Sequence, residues 1–227
     1  MILKYNEFIN ERRDISEICQ GDNLSLYQWD DMLAKYIDFD SMFTIDTISD
    51  STLNRMIGKS YPEGCEVAID DLRYLIIPHY DGKGYIQIGE LVCNKEVADD
   101  FIYLFRELFK HKYPIEQMRL IDNYDGDDTK SMEANNTSAF NYRVISGTDK
   151  LSRHAYGMAI DINPLYNPCV RDSNVSPAAG ERFADRTKQH KYMLTNDDLV
   201  YKILHDELGF SWGGDWENCK DYQHYEK

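Results

Sequence analysis

The sequence predicts an α+β fold: a small antiparallel sheet with flanking helices and an N-terminal, mostly helical extension. Three observations carry that prediction. Residues 72–78 (Leu-Arg-Tyr-Leu-Ile-Ile-Pro) and 85–89 (Tyr-Ile-Gln-Ile-Gly) are rich in β-formers and flank a turn signal, Asp81-Gly82-Lys83-Gly84. After them, Val97, Phe101, Leu104, Phe105 and Leu108 recur at helical spacing. The chain has 227 residues and is 42% hydrophobic, enough to fill the core of one domain that carries an extension.

Residues 1–60 read as the extension. Its clearest helix spans 26–37, where Leu26, Trp29, Leu33, Tyr36 and Ile37 are spaced along one face. The main domain is expected over 61–227. Its strand pair leads into a helix over 95–111, which Pro114 prevents from continuing. Residues 118–121 read as a short strand and the acidic stretch 122–136 as a loop. Further short strands are expected at 142–145 and 156–162. A long polar loop with Pro164, Pro168 and Pro177 covers 163–195. Asn196 or Asp197 would cap a last helix, which Gly209 would stop.

Composition narrows the partners. Forty acidic residues against 25 basic ones give a net charge of −15, which argues against nucleic acid and anionic lipid, since both need clustered Lys and Arg. No apolar run approaches the ~20 residues of a membrane span, so membrane insertion is not expected. The first residues lack the apolar core of a signal peptide. Seventeen tyrosines would suit a groove for a polar ligand, although most belong in the core or on half-buried surface. The five cysteines, Cys19, Cys65, Cys93, Cys169 and Cys219, cannot all pair within the chain, and none forms a C-x-x-C unit. They fit a reducing compartment or a single disulfide plus free thiols.

Two clusters carry chemistry. The first, Ser152 to Asp161, has the skeleton S-x-H-x-x-G-x-A-x-D. The second is Trp212-Gly213-Gly214-Asp215-Trp216, followed by Asp221-Tyr222-Gln223-His224. His154, Asp161 and His224 form a zinc-type ligand set, because imidazole nitrogen and carboxylate oxygen both bind Zn²⁺ and three protein ligands leave a position for water. A straight strand would hold His154 and Asp161 roughly 23 Å apart, and a straight helix about 10.5 Å. The chain must therefore bend between them, and Gly157 is the residue that bends cheaply. Asp221, three residues before His224, is placed to take a proton from water and pass it to a leaving amine.

These elements resemble the zinc D-Ala-D-Ala carboxypeptidase family, which includes D,D-dipeptidases of vancomycin resistance and L-Ala-D-Glu endolysins of phage. The resemblance runs over about residues 142–226 and has three parts in order: S-x-H-x-x-G-x-A-x-D, W-G-G-D-W and acid-x-x-His. It implies that His154, Asp161 and His224 hold Zn²⁺ and that Asp221 is the catalytic base, a place many relatives fill with Glu. Arg143, just upstream, would bind the substrate carbonyl and the developing oxyanion. Ser152, Asp215 and Trp212 would contact substrate or wall the site, and Asp215 could instead orient a ligand histidine. The implied partners are peptidoglycan peptides, and the implied location is extracytoplasmic. The implied reaction is peptide-bond hydrolysis of the D-Ala-D-Ala carboxypeptidase kind. An L-Ala-D-Glu-type endopeptidase and a non-catalytic zinc-binding wall-recognition protein are the alternatives.

Overall fold

The computed structural model describes residues 39–227. The helix expected over 26–37 lies outside them. The first described strand, β1 (Thr44–Thr47), precedes a short helix, α1 (Asp50–Met56), capped by the Ser49 hydroxyl accepting from the Thr52 amide. The two β-rich runs then form a long antiparallel hairpin, β2 (Leu72–Tyr80) and β3 (Ile86–Asn94). β1 pairs along the free edge of β2, so residues before 61 complete this three-stranded sheet. β2 is apolar almost throughout because both its faces are covered. Leu75 and Ile77 face the main core, while Leu72, Tyr74 and Ile76 pack with Met56, Val92, Leu120 and Phe140.

The helix over 95–111 forms as α2 (Ala98–Lys110). Phe101, Leu104, Phe105 and Leu108 are all buried, as their spacing requires. Burying each contributes on the order of 1.5–3 kcal/mol. The strand expected at 118–121 is shorter than expected: β4 (Gln117–Met118) pairs in parallel with β5 (Asn136–Thr137). Between them the expected loop folds into a 3-10 turn (Ile121–Tyr124) and a helix, α3 (Asp128–Glu133), capped by Asp127. Its acidic surface conceals it in the sequence, because Met132 is its one apolar anchor to the core. Residues 142–145 form no strand beyond an isolated bridge between Val144 and Leu151. Val144 and Ile145 are exposed, so their β-propensity meets no packing partner.

The remaining strands are short. They are β6 (Ala159–Asp161), β7 (Cys169–Arg171), β8 (Asn174–Ser176), β9 (Ser211–Trp212), β10 (Lys220–Asp221) and β11 (His224–Glu226). They form two three-stranded sheets, ordered β6-β11-β9 and β10-β7-β8. The expected long loop therefore contains the β7–β8 hairpin. The last helix, α4 (Leu199–Tyr201), continues as a π-helical turn (Lys202–Glu207). Its cap is Asp198, one residue beyond the expected Asp197, with the side chain accepting from the Val200 amide. One core ties α2 to the first sheet, to Ile160, Trp212 and Tyr225 of the β6-β11-β9 sheet, and to Ile162 just past β6. The fold is α+β, with small antiparallel sheets and a few helices. Among the described residues no helix is long and apolar enough to cross a membrane.

Candidate metal centre

His154 sits in a 3-10 turn (Arg153–Tyr156) that starts with Ser152, whose hydroxyl accepts from the His154 amide at 3.3 Å. Gly157 ends the turn with φ +69 and a backbone pressed onto β3. Its carbonyl accepts from the Asn94 amide at 2.9 Å, and a Cβ there would lie 2.6 Å from that nitrogen. The left-handed turn and the close approach both require glycine, and they redirect the chain into β6, which ends on Asp161. Gly157→Ala should therefore cost about 2–4 kcal/mol, from the left-handed penalty plus the clash, and a thermal melt will read it as a clear drop in Tm.

Asp161 and His224 face each other across the β6–β11 ladder. Three atoms converge: His154 Nε2, Asp161 Oδ1 and His224 Nδ1. Their separations are 3.2 Å from His154 to Asp161, 3.0 Å from His224 to Asp161 and 3.1 Å between the two histidines. All three residues are buried, with at most 6% of their surface exposed. Among the described residues this is the group of His, Cys, Asp and Glu side chains that could hold a metal ion.

The far side of each imidazole fixes which nitrogen is free. His154 Nδ1 lies 2.6 Å from the Ala139 carbonyl, an acceptor, so it carries the proton and leaves Nε2 with a lone pair. His224 Nε2 lies 2.9 Å from Glu226 Oε2, so it donates there and turns Nδ1 inward. Three electron-rich atoms about 3 Å apart demand a cation or a proton between them. A tetrahedral zinc site with bonds of about 2.0–2.1 Å has ligand-to-ligand edges of roughly 3.3–3.4 Å, so the residues present fit such an ion after a small relaxation. Burial resists charging His224, but its bonds to Asp161 and Glu226 prevail and push its pKa up to about 10. Burial likewise opposes ionisation of Asp161, and the two histidines overcome it and hold that carboxyl well below the usual range. A metal entering here competes with a proton.

Glu226 lies outside the residues expected at the site, where Asp215 was to contact substrate or, alternatively, orient a histidine. Period-two spacing on β11 puts residues 224 and 226 on one face of the strand, and that was the available signal. Asp215 is exposed and accepts instead from the Tyr201 hydroxyl at 3.2 Å. Glu226→Gln should weaken metal binding about 10–100-fold, measured by competition with a chromogenic chelator.

Asp221 is half-buried on β10, with Gln223 Nε2 donating to its Oδ1 at 3.2 Å. Burial raises its carboxyl pKa, and the charges of His224, Asp161 and His154 all act on it. Gly213 makes this placement possible, since a Cβ there would come within 2.5 Å of the Asp221 carbonyl oxygen and 2.8 Å of its Cβ. Trp216 packs its ring 5.4 Å from that of His224.

Trp212, expected at the substrate, is a core residue, 6% exposed and stacked on Tyr225. Its indole N–H donates to the Tyr222 carbonyl. Ser152 acts on the His154 turn, as described. Arg143 is ion-paired with Asp128 of α3 at 2.8 Å, and its Nε is buried without a hydrogen-bond partner.

Residues 146–227 match the family model described as D-alanyl-D-alanine carboxypeptidase. The matched stretch carries both histidines, Asp161 and Asp221. Arg143 lies just before it. No curated protein and no solved structure matches the chain.

Proposed function

We propose that this protein is a zinc peptidase that hydrolyses peptide bonds in bacterial cell-wall peptidoglycan, in the manner of a D-alanyl-D-alanine carboxypeptidase. One observation carries the reading: three buried ligand atoms, His154 Nε2, Asp161 Oδ1 and His224 Nδ1, converge within about 3 Å, and the half-buried carboxylate of Asp221 lies in their field. His154, Asp161 and His224 would hold the ion. Zinc bound there supplies Lewis acidity, which acidifies water and polarises a carbonyl.

The chain's own residues do the rest. Asp221 takes the proton of the attacking water through Oδ2, while Gln223 holds Oδ1. A carboxyl whose proton affinity burial has raised is suited to returning that proton to the departing amine. Trp216 shields the imidazole of His224 from bulk water. Arg143 keeps its guanidinium aligned through Asp128, and its unpaired Nε–H is the donor it can offer to a carbonyl oxygen. The peptidase unit comprises residues 61–227 together with β1 and α1, because β1 is the edge strand of the first sheet. Its substrate would place the protein at the cell envelope.

The test is product analysis on muropeptides, with zinc and with chelator. Release of free D-Ala from D-Ala-D-Ala termini, lost with chelator, supports the carboxypeptidase reading. Cleavage only at an internal bond moves the protein to an endopeptidase. A zinc-loaded protein that binds these peptides without cutting them would leave wall recognition as its role.

A further inference from the structure

Cys169 ends its strand pairing beside a second cysteine. β7 and β10 pair with Cys169 opposite Asp221 and Val170 opposite Lys220. Cys219 immediately precedes β10, and its sulfur lies 3.4 Å from that of Cys169. A disulfide bond measures about 2.05 Å, so closing this gap needs a shift of about 1.4 Å, within reach of side-chain rotation on two neighbouring strands. Both residues are half-buried, so a small oxidant can reach them. The other described cysteines offer no rival partner in this region. Cys93 is wholly buried in the main core, and Cys65 packs on the second apolar cluster.

We propose that Cys169 and Cys219 form a disulfide that clasps the hairpin following Asp161 to the strand carrying Asp221. The oxidant is a low-molecular-weight disulfide. One protein thiolate attacks it, forming a mixed disulfide and expelling one small thiolate. The second protein thiol, once deprotonated, attacks that mixed disulfide and expels the other small thiolate. Two protein S–H bonds and one small S–S bond give way to one protein S–S bond and two small thiols, which carry the two electrons.

Burial and the neighbouring Asp221 carboxylate push the Cys169 thiol up. The disulfide fixes the two strands covalently. The bond does not depend on the peptidase reading and can be tested without any activity.

The full chain is incubated with excess oxidised glutathione, quenched with iodoacetamide and analysed by mass spectrometry. The expected product has lost the mass of two hydrogens, has two fewer alkylated thiols than the five cysteines of the reduced chain, and yields a Cys169–Cys219 cross-linked peptide. Its Tm should rise by roughly 5–15 °C and fall back with a dithiol reductant, as expected for closing a loop of about 50 residues. In Cys169→Ser, a glutathione adduct should instead persist on Cys219. Stable glutathione adducts on both cysteines of the wild-type protein, or a disulfide that joins either to another cysteine, would overturn the proposal.

Discussion

Alanine in place of His154 should strip the protein of zinc and of all measurable turnover. The wild-type chain, purified without added metal or chelator, should carry about one zinc, in keeping with a three-residue site that leaves one position open. His154→Ala removes the Nε2 lone pair that closes the triangle with Asp161 and His224. The affinity loss should exceed the roughly 10–100-fold expected of a supporting carboxylate such as Glu226. The variant also strands the buried Ala139 carbonyl that His154 Nδ1 satisfies, at a cost of about 1–3 kcal/mol. Circular dichroism should accompany the metal analysis, so that loss of metal is separated from loss of fold. A bound ion stabilises the native state by about 4 kcal/mol at a thousand times its Kd. Chelator should therefore lower the Tm of the wild type and leave that of a folded His154→Ala variant unmoved. A variant that keeps stoichiometric zinc would remove His154 from the ligand set.

Asp221→Asn should do the converse, retaining the metal and losing the reaction. Asparagine fills the same space beside Gly213 and still accepts from Gln223, so the strand and the triangle should persist. It cannot take a proton from water. General-base loss lowers kcat by about 10²–10⁴-fold. Zinc content within error of the wild type, together with such a fall, is the signature of a proton carrier. Wild-type turnover in Asp221→Asn would end that assignment. A variant that lost its zinc would show that Asp221 instead supports the ligands.

The two chemical clusters were legible because each concentrates unusual residue types at short spacing. His154 and Asp161 lie seven residues apart, and the need for a bend at Gly157 follows from helix and strand rise alone. The long hairpin and α2 were legible for a related reason, since each is a strong local pattern with a buried face. α3 was not, because a short acidic helix held by one Met and a capping Asp carries almost no periodic signal. The stretch 142–145 differed in the other direction, having the residue types of a strand but only a single bridge, to Leu151, and exposed side chains at Val144 and Ile145. The helix over 26–37 falls outside the described residues.

The α+β class, the order of the two clusters and the candidate ligand residue types could be read from the chain alone, because these depend on local composition and on distances along the chain. Tertiary structure decided which nitrogen of each histidine is free, since the Ala139 carbonyl and Glu226 set the protonated sides. It also decided that Trp212 is core while Trp216 meets His224, and that Arg143 pairs with Asp128. The two sulfurs, fifty residues apart in the chain, meet for the same reason: contacts between distant segments follow from strand register, which no local pattern in the sequence records.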